Sequence, residues 1–118
     1  MLGRMSEDCL FCKIASGDIP ADIVAENEFA VAFRDIAPQA PTHVLVIPRQ
    51  HEPNAAALAD GNPEQMVEVV KLARQVAEID GLGNGYRMVF NTGADALQTV
   101  FHAHLHLLGG RVFDWPPG

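Results

Sequence analysis

The chain has 118 residues, 48% of them hydrophobic, and a net charge of −7. That length sets the expectation of one globular domain spanning 1–118 with a single core. The acidic balance argues against binding to nucleic acid or to an anionic membrane surface, since both rely on surface Lys and Arg. No stretch reaches the roughly 20 apolar residues of a membrane span, and "MLGRMSEDCL" holds no apolar run of signal-peptide length. A cytoplasmic location is expected. There Cys9 and Cys12 stay reduced, and their CxxC spacing suggests a metal or redox pair over a structural disulfide.

In chain order, residues 1–8 are expected to be a flexible terminus. "DCLFCKIASG" reads as a short helix closed by Gly17 at the C′ position. "IPADIVAENEFAVAFRD" reads as strands over Ile23–Ala25 and Phe29–Arg34, around a turn at Glu26–Asn27–Glu28. "APQAP" is a loop. "THVLVIP" is a strand of branched residues stopped by Pro48. "NAAALAD" is a short helical piece.

One long helix is predicted over Asn62–Asp80, with Asn62 as N-cap, Pro63 at the first helical position and Glu64 at the positive end. Met66, Val69, Val70, Ala73, Val76 and Ala77 follow its period, and Gly81 ends it. "YRMVFN" is a strand, "TGADALQ" a loop, "FHAHLHLL" the last strand, and 109–118 an irregular tail. Strands joined by tight turns, with one long helix on a face, predict an α+β fold. The sheet is antiparallel, of about five strands, with one long helix and short ones.

Three of the five histidines fall in five residues, His102, His104 and His106. On a strand they share one face, with Phe101, Ala103, Leu105 and Leu107 on the other, packed on the core under the long helix. Neighbours on one face stand roughly 7 Å apart and the outer pair roughly 13 Å. A single metal held by all three is therefore poor geometry on a straight strand. Nucleophilic catalysis is the alternative: a neutral imidazole attacks phosphorus and leaves it readily, while neighbouring imidazoles orient it and neutralise phosphate oxygens. The bland reading is a set of hydrogen-bonded core histidines.

The run His102-Ala-His104-Leu-His106-Leu-Leu resembles the H-φ-H-φ-H-φ-φ motif of the histidine-triad (HIT) superfamily, where φ is apolar. "IPADIVAENEFAVAFRDIAPQAPTHVLVIPRQH", "GYRMVFNTG", "QTVFHAHLHLLGG" and "WPPG" resemble its Hint branch, the purine nucleoside phosphoramidases. The resemblance implies the HIT fold, a homodimer, and hydrolysis of purine nucleoside 5′-phosphoramidates to the nucleoside monophosphate and an amine. It implies His104 as the nucleophile that forms a nucleotidyl-histidine, His106 as a contact to phosphate and leaving amine, and His43 as their support from the adjacent strand.

The amine must be protonated as it leaves, so Thr99 and His106 are candidate donors or relays. Asn91 and Gln98 offer amide donors for phosphate oxygens, with backbone N–H groups of the loop. Asp35 suits the ribose hydroxyls, or is a solvated turn residue. Phe11, Ile14, Ile19, Phe33 and Ile36 wall the base, or are simply core. Thr99 stands where many relatives have Ser, and Leu97, in the expected phosphate loop, where they often have Gly. Glycine permits backbone shapes that leucine resists.

Some HIT proteins with an N-terminal CxxC hold zinc through the two cysteines, the histidine after "IP" and the first triad histidine. The resemblance thus implies a structural zinc on Cys9, Cys12, His51 and His102, with no open position for a catalytic water. A terminal tryptophan suggests docking, and the resemblance places the tail near the partner's active site. The rival activities are hydrolysis of dinucleoside polyphosphates, as in the Fhit branch, and nucleotide binding by a regulatory protein with weak catalysis.

Overall fold

The structure, a computed structural model, describes residues 8–118. The predicted flexible terminus lies outside them except for Asp8. Helix α1, Leu10–Ser16, begins at Cys9, whose Sγ accepts the N–H of Cys12. Gly17 closes it at φ 87°, a left-handed conformation that costs glycine nothing. Strands β1, Ile23–Glu26, and β2, Ala30–Arg34, follow. Their turn is held by Asn27 Oδ1, which accepts the N–H groups of Phe29 and Ala30 at 2.8 Å each. Strand β3, Thr42–Pro48, is buried throughout.

Helix α2, Ala55–Gly61, is capped by Asn54 Oδ1, which accepts the N–H of Ala57 at 2.9 Å. Helix α3, Pro63–Ile79, is the predicted long helix. Asn62 stands at its N-cap position but makes no capping bond. Its amide instead donates to Glu52 Oε2 at 2.9 Å. Val70, expected on the apolar stripe, is 40% exposed, and Leu72 takes the inward place. The buried set Val69, Leu72, Ala73, Val76 keeps the i, i+3, i+4, i+7 spacing of one helix face.

Strands β4, Tyr86–Phe90, and β5, Leu105–Gly109, complete a five-stranded antiparallel sheet of order β1-β2-β3-β5-β4. This is the α+β architecture expected from the sequence. The predicted final strand is shortened to its second half. Residues before Leu105 leave the sheet, because the Ala103 N–H donates to the Glu52 carbonyl at 2.7 Å rather than to a β3 partner. Phe101, assigned to the core face, is accordingly 61% exposed. The irregular tail starts at Gly110, since Gly109 belongs to β5.

Alternation gives the sheet two cores. Ala30, Ala32, Val44, Val46, Leu105 and Leu107 pack with the buried face of α3. Val31, Phe33, Leu45 and Ile47 pack on the opposite face with Phe11 of α1. Full burial of each large aliphatic side chain contributes about 1.5–3 kcal/mol. Arg34 clamps Asp80 through two 2.9 Å bonds, and Thr42 Oγ1 donates to the same carboxylate at 2.8 Å. The guanidinium holds the Asp80 carboxyl below its usual range, and the Arg34 and Thr42 bonds together tie β2 and β3 to the end of α3. Because α1 covers only the β2–β3 part of the second face, His106 on β5 is left partly open.

Candidate active site and metal centre

Hydrogen bonds assign each imidazole its tautomer. The Gln39 N–H donates to His43 Nδ1 at 3.0 Å, so His43 carries its proton on Nε2. That proton is donated to His106 Nδ1 at 2.9 Å, which leaves His106 with an outward Nε2–H. His104 Nδ1–H donates to the His102 carbonyl at 2.8 Å, leaving a lone pair on His104 Nε2. The rings of His104 and His106 are 5.0 Å apart, and Phe11 sets its edge against His104 at 5.1 Å. A nucleophilic nitrogen thus stands beside a hydrogen-bond donor.

Burial disfavours charge on two of these imidazoles. It pushes the His106 imidazole down to about 4, with His104 and His43 adding to the effect. Burial likewise lowers His43, opposed by the Asp35 carboxylate. Asp35 Oδ1 accepts the Ala37 N–H at 2.8 Å, and its Oδ2 stands 3.5 Å from His43 Nε2. Asp35 is therefore both a turn residue and a member of the histidine cluster. A cavity of about 280 Å³ adjoins it, lined by Phe11, Ile14, Ile19, Phe33, Asp35 and Ile36 among others. Ile36 is fully exposed and forms the rim rather than the floor.

The first triad histidine, His102, serves a different cluster. His102 is fully buried, and its Nε2–H donates to the Pro48 carbonyl at 2.8 Å. Burial pushes it down to about 4, so Nδ1 keeps its lone pair. That nitrogen is 3.4 Å from Cys9 Sγ, 3.5 Å from Cys12 Sγ and 3.2 Å from His51 Nδ1. Cys12 Sγ is 3.4 Å from His51 Nδ1. With zinc bonds of 2.3 Å to sulfur and 2.0–2.1 Å to nitrogen, tetrahedral ligands are about 3.5 Å apart for S and N and about 3.4 Å for two N. The four separations match, so Cys9, Cys12, His51 and His102 are positioned to bind a metal ion.

The loop before β5 behaves less as expected. Gln98 is buried, its Oε1 accepts the Gly93 N–H at 3.0 Å, and its Nε2 donates to the carbonyls of Pro53 and Val100. Its donors are thus spent in bracing the loop, not turned to a phosphate. Asn91 follows β4, and the β4–β5 register carried one step further sets it opposite His104. Thr99 is exposed in a cleft with Cys9, Leu10, His51 and Phe101, beside the metal centre. Leu97 is held at φ 60°, the left-handed conformation that glycine favours. Sequence reasoning missed Gln39, Pro48 and Glu52. All three act through backbone groups, which leave no side-chain signature.

An antiparallel α+β sheet with paired imidazoles beside an apolar cavity, and a two-Cys, two-His cluster behind them, defines a histidine-triad architecture. The HIT domain model matches residues 16–113, and the chain belongs to that family. A HIT family hydrolase of Legionella pneumophila Philadelphia 1 has a similar structure, with 49% identity and a TM-score of 0.89, covering 94% of this chain and 100% of that one. A HIT family hydrolase of Clostridium thermocellum shares 43% identity at a TM-score of 0.87, over 97% and 98% of the two chains. An uncharacterized HIT-like protein of Synechococcus elongatus is 48% identical over 114 residues, 97% of this chain and all of that one. Among the described residues no helix is long and apolar enough to cross a membrane.

Proposed function

We propose that this protein is a hydrolase of the Hint type. It cleaves the P–N bond of purine nucleoside 5′-phosphoramidates through a nucleotidyl-histidine on His104. The observation that carries this reading is the His104 Nδ1–H bond to the His102 carbonyl, which aims an unprotonated Nε2 outward. Neutral imidazole is the nucleophile that phosphorus chemistry needs. In the first step Nε2 attacks phosphorus, the P–N bond breaks, and the nitrogen takes up a proton relayed from solvent through His106 or Thr99, so that it leaves as a neutral amine. The Nε2–H of His106 hydrogen-bonds the phosphate oxygens or the departing nitrogen, and His43 fixes that ring. In the second step water attacks the same phosphorus and gives up a proton along that route, which restores the one spent on the amine; the bond to His104 breaks and the nucleoside monophosphate is released.

In this reading Ile14, Ile19, Phe33 and Ile36 take the base and Asp35 the ribose. The same reading assigns Asn91, Leu97 and Thr99 to the phosphate and makes Thr99 a second donor to the amine. Zinc is the ion of the Cys9, Cys12, His51, His102 centre, because a closed S₂N₂ tetrahedron suits it. Two cysteines that form no disulfide with each other fit the reducing cytoplasm. A homodimer is supported by β4 at the sheet edge and by Trp115, which is 83% exposed in the single chain.

The experiment is mass spectrometry of rapidly quenched protein with an adenosine phosphoramidate and, separately, with diadenosine triphosphate. Addition of AMP to His104 with faster phosphoramidate turnover is the expected result. Faster turnover of the triphosphate would make it a Fhit-type enzyme. AMP binding with no adduct and no turnover would make it a binding protein.

A further inference from the structure

A second set of donor atoms lies apart from the cysteine centre. Asp35, His43 and His106 each offer one ligand atom, all within 4.8 Å of one another. His43 Nε2 is 2.9 Å from His106 Nδ1 and 3.5 Å from Asp35 Oδ2. Ligands at 2.0–2.1 Å from a tetrahedral ion stand about 3.3–3.4 Å apart. The two separations bracket that value, so small side-chain movements suffice to enclose an ion. Burial disfavours the protonated form of both imidazoles, which favours the neutral rings a metal needs. Two imidazoles and one carboxylate suit borderline divalent ions such as Zn²⁺ and Co²⁺ better than Mg²⁺ or Ca²⁺, which prefer all-oxygen sites.

We propose that Asp35, His43 and His106 form a second, exchangeable site for a zinc-class ion, and that this ion and the nucleotide exclude each other. The exclusion rests on the proposed function, in which Asp35 and His106 meet the ribose and phosphate; the binding of the ion does not. The ion takes the place of the proton between His43 Nε2 and His106 Nδ1. That proton moves to His43 Nδ1, and the Gln39 N–H gives up its acceptor. The lost hydrogen bond makes this site weaker than the cysteine centre. With three protein ligands, a fourth position stays open for water, so the ion enters and leaves from the nucleotide side. Zinc in excess of one ion per chain then acts as a reversible inhibitor.

The test titrates full-length protein, its cysteine centre already filled with zinc, with Co²⁺ alone. The readouts are equilibrium dialysis and the visible spectrum. One Co²⁺ per chain is expected, with tetrahedral d–d absorption and no thiolate-to-metal charge transfer. Asp35→Asn should raise its dissociation constant at least about tenfold, as loss of one of three ligands requires. Saturating AMP should raise the apparent constant in wild type. His106→Asn serves as the second variant, and the melting curve of each confirms folding. Absence of Co²⁺ binding, or unchanged binding in a folded variant, overturns the site. AMP that binds without displacing Co²⁺ overturns the exclusion. If Co²⁺ binds as expected but no phosphoramidate is turned over, the proposed function fails and the metal site stands.

Discussion

The backbone carbonyl of His102 accepts the Nδ1–H of His104 at 2.8 Å, while the His102 side chain belongs to the cysteine centre. One residue thus joins the metal ligands to the orientation of the nucleophile. Stripping the metal with a chelator is expected to lower kcat by roughly tenfold, the scale of losing a group that orients an active residue, with KM changed less. The imidazole ¹⁵N shifts of His104 should move toward a tautomer mixture. Unchanged shifts and kcat in metal-free, folded protein would show that the centre stabilises the fold without tuning His104.

His104→Ala should abolish hydrolysis, with kcat down by at least about 10³, since no other group replaces a lost nucleophile. His106→Asn removes one donor to developing charge and should cost roughly 10²–10³ in kcat. Steady-state kinetics on an adenosine phosphoramidate separates the two. Equal and small losses would place the nucleophile elsewhere.

The depressed imidazole of His106 has a consequence for stability. Its proton affinity is about 4 in the fold and about 6.5 in the unfolded chain. Above pH 6.5 both states are neutral and stability is fully present. As pH falls from 6.5 toward 4, the unfolded chain takes up a proton that the fold refuses. Stability is lost there with a slope of at most about 1.4 kcal/mol per pH unit for this group. His43 acts in the same direction. Urea unfolding at pH 7 and pH 5 should show a smaller acid-induced loss in His106→Asn than in wild type. An equal loss would mean the ring is not depressed.

Leu97 gains little from its position. It is 81% exposed, and its φ of 60° is a strained setting for an L side chain. Left-handed backbone costs about 1–2 kcal/mol, and glycine's greater unfolded entropy offsets about 0.5–1 of it. Leu97→Gly should therefore stabilise the protein by about 0.5–1 kcal/mol and raise Tm by roughly 3 °C. Calorimetry decides it, and a lower Tm would reveal packing that the single chain does not show.

The C-terminal segment is tethered rather than packed. The guanidinium groups of Arg87 and Arg111 lie over the Phe113 ring, 4.9 and 4.2 Å from its centroid, and Arg87 also donates to the Asp114 carbonyl. Deleting Asp114–Gly118 should leave Tm within a few degrees and alter the ranking of amine leaving groups. An unchanged ranking across a series of phosphoramidates would remove the tail from the site.

Much of this was legible in the sequence because side-chain alternation and helical period are written in residue types. Strands β2, β3 and β4, helix α3 and Gly17 at the end of α1 could be read that way. The histidine strand was read too long. Alternation of His and apolar residues also describes an extended segment outside a sheet, and the bond from Ala103 to Glu52 that draws it away is made by backbone. Gln98 departs from expectation for a related reason: an amide suits a phosphate and a loop carbonyl equally well, and only burial tells them apart. The grouping of Cys9, Cys12, His51 and His102 came from the family resemblance rather than from spacing.

Strand β4 ends the sheet with Tyr-Arg-Met-Val-Phe, five residues with one charge among them, and pairs on one side only with β5. Its outer N–H and C=O groups form a template that any extended chain can fill. Self-association into an ordered pair and runaway fibrillar stacking would draw on the same groups. Arg87, the second residue of the strand, carries its one charge and is the gatekeeper against the second outcome. Arg87→Ala is therefore expected to precipitate more readily than wild type, as light scattering would show.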